Sequence, residues 1–176
     1  MLRIIPFVHK VIEEHIKPSS TVVDATCGNG NDTLFLSNLV TEGTIYAFDI
    51  QAKAIENTTN LVKSDNVNVI HDTHEDIKNY IKQVDLVLFN LGFLPNHDKS
   101  ITTNYKSTLK AIENSLEILN KNGLLIIVLY PGHTEGKIES EKVLEFTSQL
   151  NNAYDVSKYE ITNKINAPFV ILVNKK

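Results

Sequence analysis

The chain has 176 residues, 42% of them hydrophobic and 22% charged, and this composition predicts an ordinary globular protein with one domain, residues 1–176. Its net charge is −4 and Arg3 is its only arginine, which argues against a large nucleic-acid-binding surface but leaves a small RNA footprint open. No apolar run approaches the ~20 residues of a membrane span, and the single cysteine, Cys27, excludes an internal disulfide, so we expect a cytoplasmic protein.

Helices and strands alternate regularly along the chain. Apolar residues recur at helical spacing over residues 3–16, and Pro18 helps to end this first helix. Further helices are predicted over residues 33–40, 51–63, 77–81, 104–120 and 136–150. Short β-branched or apolar runs predict strands over residues 21–25, 44–48, 67–70, 84–89, 124–130, 154–161 and 168–173.

The helix ends, the inward-facing residues and the strand directions together predict the fold. The helix over residues 104–120 is expected to be closed at Gly123, because glycine ends helices in a left-handed conformation. The residues of the third helix expected to face inward are Ala52, Ile55, Thr59 and Val62. The last two strands are joined by a short turn near residues 163–167 and are therefore antiparallel. The pattern predicts an α/β fold: a doubly wound, mostly parallel seven-stranded sheet with a C-terminal antiparallel hairpin.

The stretch from Thr21 to Asp32 is the candidate ligand-binding segment. A buried strand leads into Gly28 and Gly30, which allow positive φ and a close approach of the backbone to a bound group. A helix follows, and Asp49 comes nineteen positions after Gly30, at the end of the next strand. An acidic residue there can hold both hydroxyls of a ribose, so the arrangement is typical of a nucleotide-binding unit. A tight turn without a ligand is the alternative.

The kind of nucleotide follows from the residues of the turn. A dinucleotide site needs a third glycine, but Thr33 stands at that position and the turn carries Asn29 and Asn31. These side chains fit an adenosine with an amino-acid tail and no phosphates, which is S-adenosylmethionine. Asp24 either binds the ammonium of that ligand through water or orients the turn amides, and capping of the turn is an equal alternative. Cys27 is expected to be a small filler residue rather than a catalytic thiol.

Polar residues also follow the third strand, as His71, Asp72 and His74. Their spacing fits no tetrahedral metal site, so we expect no metal. Asp72 or His74 can bond the amine or the ring nitrogens of an adenine. Capping of the next helix is the alternative role of Asp72.

The segment from Asn90 to Lys99 is the expected reaction site. Asn90 ends a buried strand, where its side-chain amide needs hydrogen-bonding partners. Phe93 either stacks on a planar base or covers the core. The segment is similar to the Asn-Pro-Pro-aromatic motif of amino-group methyltransferases, in which the amide and a backbone carbonyl hold a target nitrogen in line with the methyl group. Leu91-Gly92-Phe93 replaces Pro-Pro-aromatic in this chain.

Three motifs in order carry a resemblance that covers essentially the whole chain. They are residues 24–33, residues 90–95 with Asp98-Lys99, and Tyr130-Pro131-Gly132-His133 with Gly136 and Glu139. The chain resembles the bacterial tRNA 5-aminomethyl-2-thiouridine methyltransferases. The resemblance implies a Rossmann-like class I methyltransferase fold, S-adenosylmethionine as cofactor, and methylation of the aminomethyl nitrogen of the wobble uridine in a tRNA anticodon loop. It also implies cofactor contacts by Asn29, Asn31, Asp49, Gln51 and His74.

The expected chemistry assigns roles to the remaining polar residues. An alkylamine has a pKa of ~10, so the site must lower that pKa or remove a proton before the nitrogen can accept a methyl group. The candidate proton acceptors are Asp98, His97 and His133, with a salt bridge to Lys99 as the alternative role of Asp98. The candidate catalytic residues are Asn90, Asp98 and His133. The candidate substrate-binding residues are Phe93, His97, Lys99 and Tyr130.

Other assignments stay open at this point. The full set of candidate cofactor-binding residues is Asp24, Gly28, Asn29, Gly30, Asn31, Asp49, Gln51, Asp72, His74 and Asn90. One alternative function is methylation of rRNA, a small molecule or a protein by the same fold, and another is a sensor that binds S-adenosylmethionine without catalysis. A nicotinamide oxidoreductase is disfavoured by Thr33. We expect no membrane partner, and the sequence leaves a homodimer open.

Overall fold

The computed structural model describes residues 2–92 and 105–176. The helices are α1 (Ile4–His15), α2 (Asn31–Leu39), α3 (Ala52–Leu61), α4 (Ile77–Tyr80), α5 (Tyr105–Ile118) and α6 (Thr134–Ser148), and a 3-10 turn (His74–Asp76) precedes α4. The strands are β1 (Thr21–Asp24), β2 (Thr44–Asp49), β3 (Val67–His71), β4 (Val84–Asn90), β5 (Leu119–Leu129), β6 (Tyr154–Tyr159) and β7 (Phe169–Lys175).

Within the described residues, the strands form one seven-stranded sheet in the order β3-β2-β1-β4-β5-β7-β6. The strands from β3 to β5 are parallel to their neighbours, and β7 is antiparallel to both β5 and β6. The strand order reverses between β1 and β4, and sheets of this kind bind ligands outside the carboxyl ends of such strands. The predicted doubly wound, mostly parallel sheet with a C-terminal antiparallel hairpin is confirmed.

Alternate residues of the central strands face opposite sides of the sheet, which produces a core on each face. Val87 and Phe89 lie in a cluster with apolar residues of α4, α5 and α6, whereas Leu86 and Leu88 lie in a cluster with residues of α1 and α2. Since β4 is buried on both faces, it has the continuous apolar run of a central parallel strand. None of the helices in the described ranges is both long and apolar enough to cross a membrane.

The inward face of α3 differs in part from the prediction. Two of the four residues predicted to face inward, Ala52 and Thr59, are exposed, and Ala54 and Thr58 are buried instead. Thr58 faces inward because of a polar contact: its hydroxyl donates a hydrogen bond to the Gly28 carbonyl at 3.2 Å. A threonine that satisfies a turn carbonyl can be buried where apolar spacing alone predicts a surface position.

The end of α5 also differs from the prediction. The helix ends at Ile118 and the chain enters β5 at Leu119, so Gly123 does not cap the helix. The pairing of β5 with β4 shifts register in this region, and Asn122 takes a φ of 61°. Residues 120–123 therefore bulge out of the ladder, and asparagine tolerates the left-handed conformation that this requires.

Candidate active site

The turn after β1 (residues 25–30, the glycine turn) lies at the carboxyl edge of the sheet. Gly28 and Gly30 have positive φ values, 52° and 83°. A Cβ atom on Gly30 would lie 2.9 Å from Cα of Thr58, so α3 packs directly on the backbone of the turn. Gly30 thus meets two demands that only glycine meets without strain, a left-handed conformation and a close backbone contact.

We expect Gly30→Ala to lower the free energy of unfolding by about 1–3 kcal/mol, because alanine is strained at this φ and its Cβ would contact the Thr58 backbone. Gly132→Ala is the matched control, since a Cβ there would meet no atom closer than 3.8 Å. Urea unfolding of both variants and of the parent protein gives the difference. Equal midpoints for the two variants would show that the turn relaxes around the new side chain.

Asp24 is fully buried at the end of β1 and holds the glycine turn through hydrogen bonds. Its carboxylate accepts the Thr33 hydroxyl at 2.6 Å and the Thr26 N–H at 3.2 Å. Burial, and then the nearby carboxylate of Asp32, raises the pKa of Asp24 to about 7. Thr33 is buried as well, so the residue in place of a third glycine is a partner of Asp24. These contacts are those of a residue that orients the turn.

Cys27 lies in the same turn and is buried. Burial, and then the negative charge of Asp24, raises the pKa of the Cys27 thiol to about 12. A nucleophilic cysteine must be a thiolate, whereas this side chain is a protonated thiol at neutral pH. Cys27 therefore fills space in the turn, as the sequence predicts.

Asp49 ends β2 beside the glycine turn. Its carboxylate accepts the Gly28 N–H at 3.1 Å and the Gln51 N–H at 2.9 Å. Asn29 is exposed, and its side-chain oxygen accepts a hydrogen bond from an α3 asparagine at 2.9 Å. Asn31 is the exposed first residue of α2. The predicted ribose carboxylate and the two asparagines are thus brought to one edge of the sheet.

His74 follows β3 and is buried next to the glycine turn. Its Nδ1 lies 3.3 Å from the Ala25 carbonyl, so this nitrogen carries a hydrogen and donates. Burial lowers the pKa of His74, which leaves the ring neutral and gives Nε2 a lone pair. Among the described residues, Nε2 has no hydrogen-bond partner. A ligand with an N–H group could satisfy this buried acceptor.

Asp72 and His71 lie closer to solvent. Asp72 accepts hydrogen bonds from the Tyr80 hydroxyl at 2.7 Å and the Thr73 N–H at 2.8 Å, and these bonds lower the pKa of Asp72. His71 is exposed, with Nε2 3.0 Å from the Ile50 carbonyl. The contacts of Asp72 are local ones at the start of the turn before α4. Within residues 2–92 and 105–176, no group of three or more His, Cys, Asp or Glu side chains is placed to hold a metal ion.

Asn90 ends β4 and contacts side chains from neighbouring elements. Its backbone N–H donates to the Thr26 hydroxyl at 2.8 Å, which ties β4 to the glycine turn. Its side-chain nitrogen donates to Asp32 at 2.8 Å, and its side-chain oxygen accepts the Tyr130 hydroxyl at 2.8 Å. Asn90 and Tyr130, predicted for catalysis and substrate binding, are therefore in direct contact.

Asp32 and His9 complete this cluster. Asp32 belongs to the segment predicted to bind the ligand, but the sequence analysis gives it no role of its own, and His9 is not among the predicted site residues. Asp32 lies in the first turn of α2, and Nε2 of His9 in α1 is 3.0 Å from one of its oxygens. His9 also stacks on Phe35, with ring centroids 3.8 Å apart. The position of Asp32 directly after the asparagines of the turn was a usable signal. The position of His9 in the site depends on how α1 packs against the sheet, and no local sequence pattern specifies this packing.

His133 is the N-cap of α6. Its Nδ1 accepts the Gly136 N–H at 2.9 Å, while a Glu135 oxygen lies 3.5 Å from the same nitrogen. An ion pair with Glu135 requires a hydrogen on Nδ1 and the cap requires a lone pair, so the two contacts exclude each other. The shorter cap bond is the one expected at a helix start. The other predicted residues of the reaction site, Phe93, His97, Asp98 and Lys99, lie outside the described residues.

Residues 45–175 match the family model described as "Putative rRNA methylase". A curated relative from Arabidopsis thaliana, named tRNA (mnm(5)s(2)U34)-methyltransferase, chloroplastic, is 36% identical over 185 residues, and the match covers 96% of this chain and 68% of the relative.

Solved structures show the same similarity. A protein from Clostridium thermocellum, described as a "putative rRNA-methylase", is 38% identical with a TM-score of 0.96, and the match covers 100% of both chains. A protein from Streptococcus mutans, described as "a putative methyltransferase" in complex with SAH, is 34% identical with a TM-score of 0.91 over 100% of this chain and 99% of that chain. The fold is that of the class I methyltransferases, and the chain belongs to the Putative rRNA methylase family.

Proposed function

We propose that this protein is an S-adenosylmethionine-dependent methyltransferase that methylates the aminomethyl nitrogen of 5-aminomethyl-2-thiouridine at the wobble position of tRNA. The observation that carries the proposal is the 36% identity, over 96% of the chain, to a relative whose name specifies the nucleoside mnm(5)s(2)U at position 34 of tRNA. The SAH in the similar Streptococcus mutans structure supports the choice of cofactor, because SAH is S-adenosylmethionine without its methyl group.

The described residues fit this cofactor. When bound, S-adenosylmethionine supplies an electrophilic methyl group on a sulfonium. Asp49 would hold the ribose hydroxyls, and the buried Nε2 of His74, which has no partner among the described residues, would accept an N–H of the adenine amine. The positive φ values of Gly28 and Gly30 allow the amino-acid tail to approach the backbone. Further contacts are proposed for Asp24, Asn29, Asn31, Gln51, Asp72 and Asn90.

We expect Asp49→Ala to weaken the binding of S-adenosylhomocysteine by about 1.5–3 kcal/mol, or roughly 10- to 150-fold in Kd, because it removes a charged hydrogen-bonding group. The change also leaves the Gly28 and Gln51 amides without their acceptor. Asp65→Ala is the matched control, because Asp65 is exposed in the loop before β3. Isothermal titration calorimetry measures both variants, and equal affinities would remove Asp49 from the cofactor site.

The reaction centre must bind an alkylamine in its deprotonated form. An alkylamine of pKa ~10 is mostly protonated at pH 7, and freeing its lone pair costs about 4 kcal/mol at 1.36 kcal/mol per pKa unit. The side-chain oxygen of Asn90 would hold the nitrogen, with Tyr130 beside it. Asp98 and His133 are the proposed proton acceptors. Because Nδ1 of His133 accepts the Gly136 N–H, a neutral ring carries its hydrogen on Nε2, so His133 would accept a proton only at Nδ1, after the helix-cap bond has broken.

A wobble base suits a protein of this size and charge. An anticodon loop presents unstacked bases, so the enzyme would not have to open a duplex. A footprint of that size needs only a few phosphate contacts. Lys106 and Lys137 lie exposed near the starts of α5 and α6, and with Lys99 they are the proposed phosphate contacts. Phe93 and His97 are proposed to contact the base.

Nucleoside mass spectrometry of tRNA from cells with and without the protein tests the proposed function. We expect loss of the protein to remove 5-methylaminomethyl-2-thiouridine and to cause the aminomethyl nucleoside to accumulate. The family description favours rRNA as a second candidate substrate. A methylated nucleoside that disappears from rRNA, with tRNA nucleosides unchanged, would favour this second candidate and contradict the first.

A further inference from the structure

A chain of side-chain hydrogen bonds joins α1, α2, β4 and the residue after β5. Nε2 of His9 lies 3.0 Å from Oδ1 of Asp32, and Oδ2 of Asp32 lies 2.8 Å from Nδ2 of Asn90. Oδ1 of Asn90 lies 2.8 Å from the Tyr130 hydroxyl. Both ends of the Asn90 carboxamide are thus bonded to other side chains.

Asp32 is the charged member of this chain. Its side chain is only 16% exposed, and burial by itself raises the pKa of Asp32. The hydrogen bonds from His9 and Asn90 outweigh burial, so the pKa of Asp32 lies below its usual value. The carboxylate is therefore ionised at neutral pH and can only accept hydrogen bonds.

This charge fixes the direction of the other bonds. Because Asp32 can only accept, the Asn90 atom that faces it must be the NH2 group, and the Asn90 carbonyl oxygen must face Tyr130. A carbonyl oxygen also only accepts, so the Tyr130 hydroxyl must donate its hydrogen to Asn90. Burial, and then the charge of Asp32, raises the pKa of Tyr130, which keeps this hydrogen in place.

We propose that Asp32 is a positioning residue that turns the Asn90 oxygen and the lone pairs of the Tyr130 oxygen toward the substrate, so that the site accepts hydrogen bonds from an amine. The inference rests on the proposed function, and it assigns the selection of an amine to the oxygens of Asn90 and Tyr130. With the single Tyr130 hydrogen donated to Asn90, both oxygens can only accept from a third group. An amine offers several N–H donors to such a pair, whereas an unmodified uridine has no group at this position to offer.

His9 supports Asp32 from outside the sheet. It donates to the Asp32 oxygen that does not contact Asn90, and it stacks on Phe35 with an interplanar angle of 9°. The His9 ring belongs to α1, but both of these contacts are with residues of α2. Loss of His9 should loosen Asp32 without removing its charge, so the effect of His9→Ala should have the same direction as that of Asp32→Asn and a smaller size.

Asp32→Asn is the test variant, because it keeps the volume of the side chain and removes the charge that sets the direction of the Asn90 amide. The measurement is the Kd of full-length tRNA carrying the aminomethyl group, relative to the Kd of the same tRNA with unmodified uridine, in the presence of S-adenosylhomocysteine. We expect the parent protein to prefer the aminomethyl tRNA by at least about tenfold and Asp32→Asn to reduce this preference to less than about threefold. The affinity for unmodified tRNA should not change, and the affinity for S-adenosylhomocysteine should change less than the preference does, because Asn90 is only one of the proposed cofactor contacts.

Matched controls separate positioning from a general structural effect. Asp65→Asn makes the same chemical change at an exposed position and should keep the full preference. If Asp32→Asn does not fold, His9→Ala replaces it, with His15→Ala on the same helix as its control. A folded variant that keeps the parent preference, or that loses all three affinities together, overturns the inference and leaves the methylation proposal intact. A parent protein that does not methylate aminomethyl tRNA at all overturns both.

Discussion

Asn90→Ala is expected to lower the turnover number about 100- to 1,000-fold, the effect of removing one positioned hydrogen-bonding group from a reaction centre. The Asn90 side chain lies between Asp32 and Tyr130 and is the group proposed to hold the target nitrogen. An alanine at this position has no acceptor for the amine. It also leaves the Asp32 carboxylate and the Tyr130 hydroxyl without the partner that they share. Methyl transfer depends on an in-line approach, so a nitrogen that is held loosely reacts slowly.

Two further variants test whether the loss of rate comes from the Asn90 side chain. Asn90→Asp keeps the shape of the side chain but places a second carboxylate 2.8 Å from an oxygen of Asp32, so it should also be slow. Asn68→Ala is the matched control, because Asn68 is an exposed asparagine of β3 away from the cluster. Single-turnover rates at saturating S-adenosylmethionine measure all three variants. A rate for Asn90→Ala within about threefold of the control would exclude Asn90 from the reaction centre.

Asp24→Asn is expected to change how the free energy of unfolding depends on pH. The native pKa of Asp24 is about 7, whereas the ordinary value is 3.8. Between these values the native state keeps a proton that the unfolded state has lost. This group therefore destabilises the native state increasingly as pH rises through that window, up to about 4 kcal/mol above pH 7 at 1.36 kcal/mol per pKa unit.

Asparagine does not titrate, so the variant should gain stability relative to the parent protein as pH rises. Between pH 5 and pH 8 this relative gain should be about 3 kcal/mol. Only the change with pH is informative, because the substitution also alters the hydrogen bonds to Thr33 and Thr26 by an amount that does not depend on pH. Urea unfolding at the two pH values measures it, with Asp65→Asn as the exposed control. A difference between variant and parent that is the same at both pH values would mean that Asp24 is ionised throughout.

The polar residues at the carboxyl edge were predictable because their positions follow from the sheet. Strand ends can be located from apolar runs, and a doubly wound sheet brings its carboxyl ends together. This reasoning places Asp49 near the glycine turn and Asn90 near Tyr130, and the structure has both arrangements. The contact between Asn90 and Tyr130 follows from the parallel pairing of β4 with β5.

Contacts between helices and the edge of the sheet were not predictable in the same way. His9 reaches Asp32 only because α1 and α2 pack on the same face of the sheet, and helical spacing reports which face of a helix is apolar but not which elements it meets. Thr58 is buried because it bonds the Gly28 carbonyl, a polar reason that an apolar pattern cannot report. The bulge at Asn122 resembles a helix cap in sequence, since both structures use a left-handed residue.

Methyl transfer by the purified protein tests the proposed function most directly. Labelled S-adenosylmethionine is incubated with the protein and with tRNA that carries the unmethylated aminomethyl group at the wobble uridine, and the tRNA is then digested to nucleosides. We expect the label to appear on the wobble nucleoside as 5-methylaminomethyl-2-thiouridine, and we expect tRNA with an unmodified wobble uridine to stay unlabelled. Label that is absent from the wobble nucleoside but present on rRNA or on a small amine under the same conditions would contradict the proposed function.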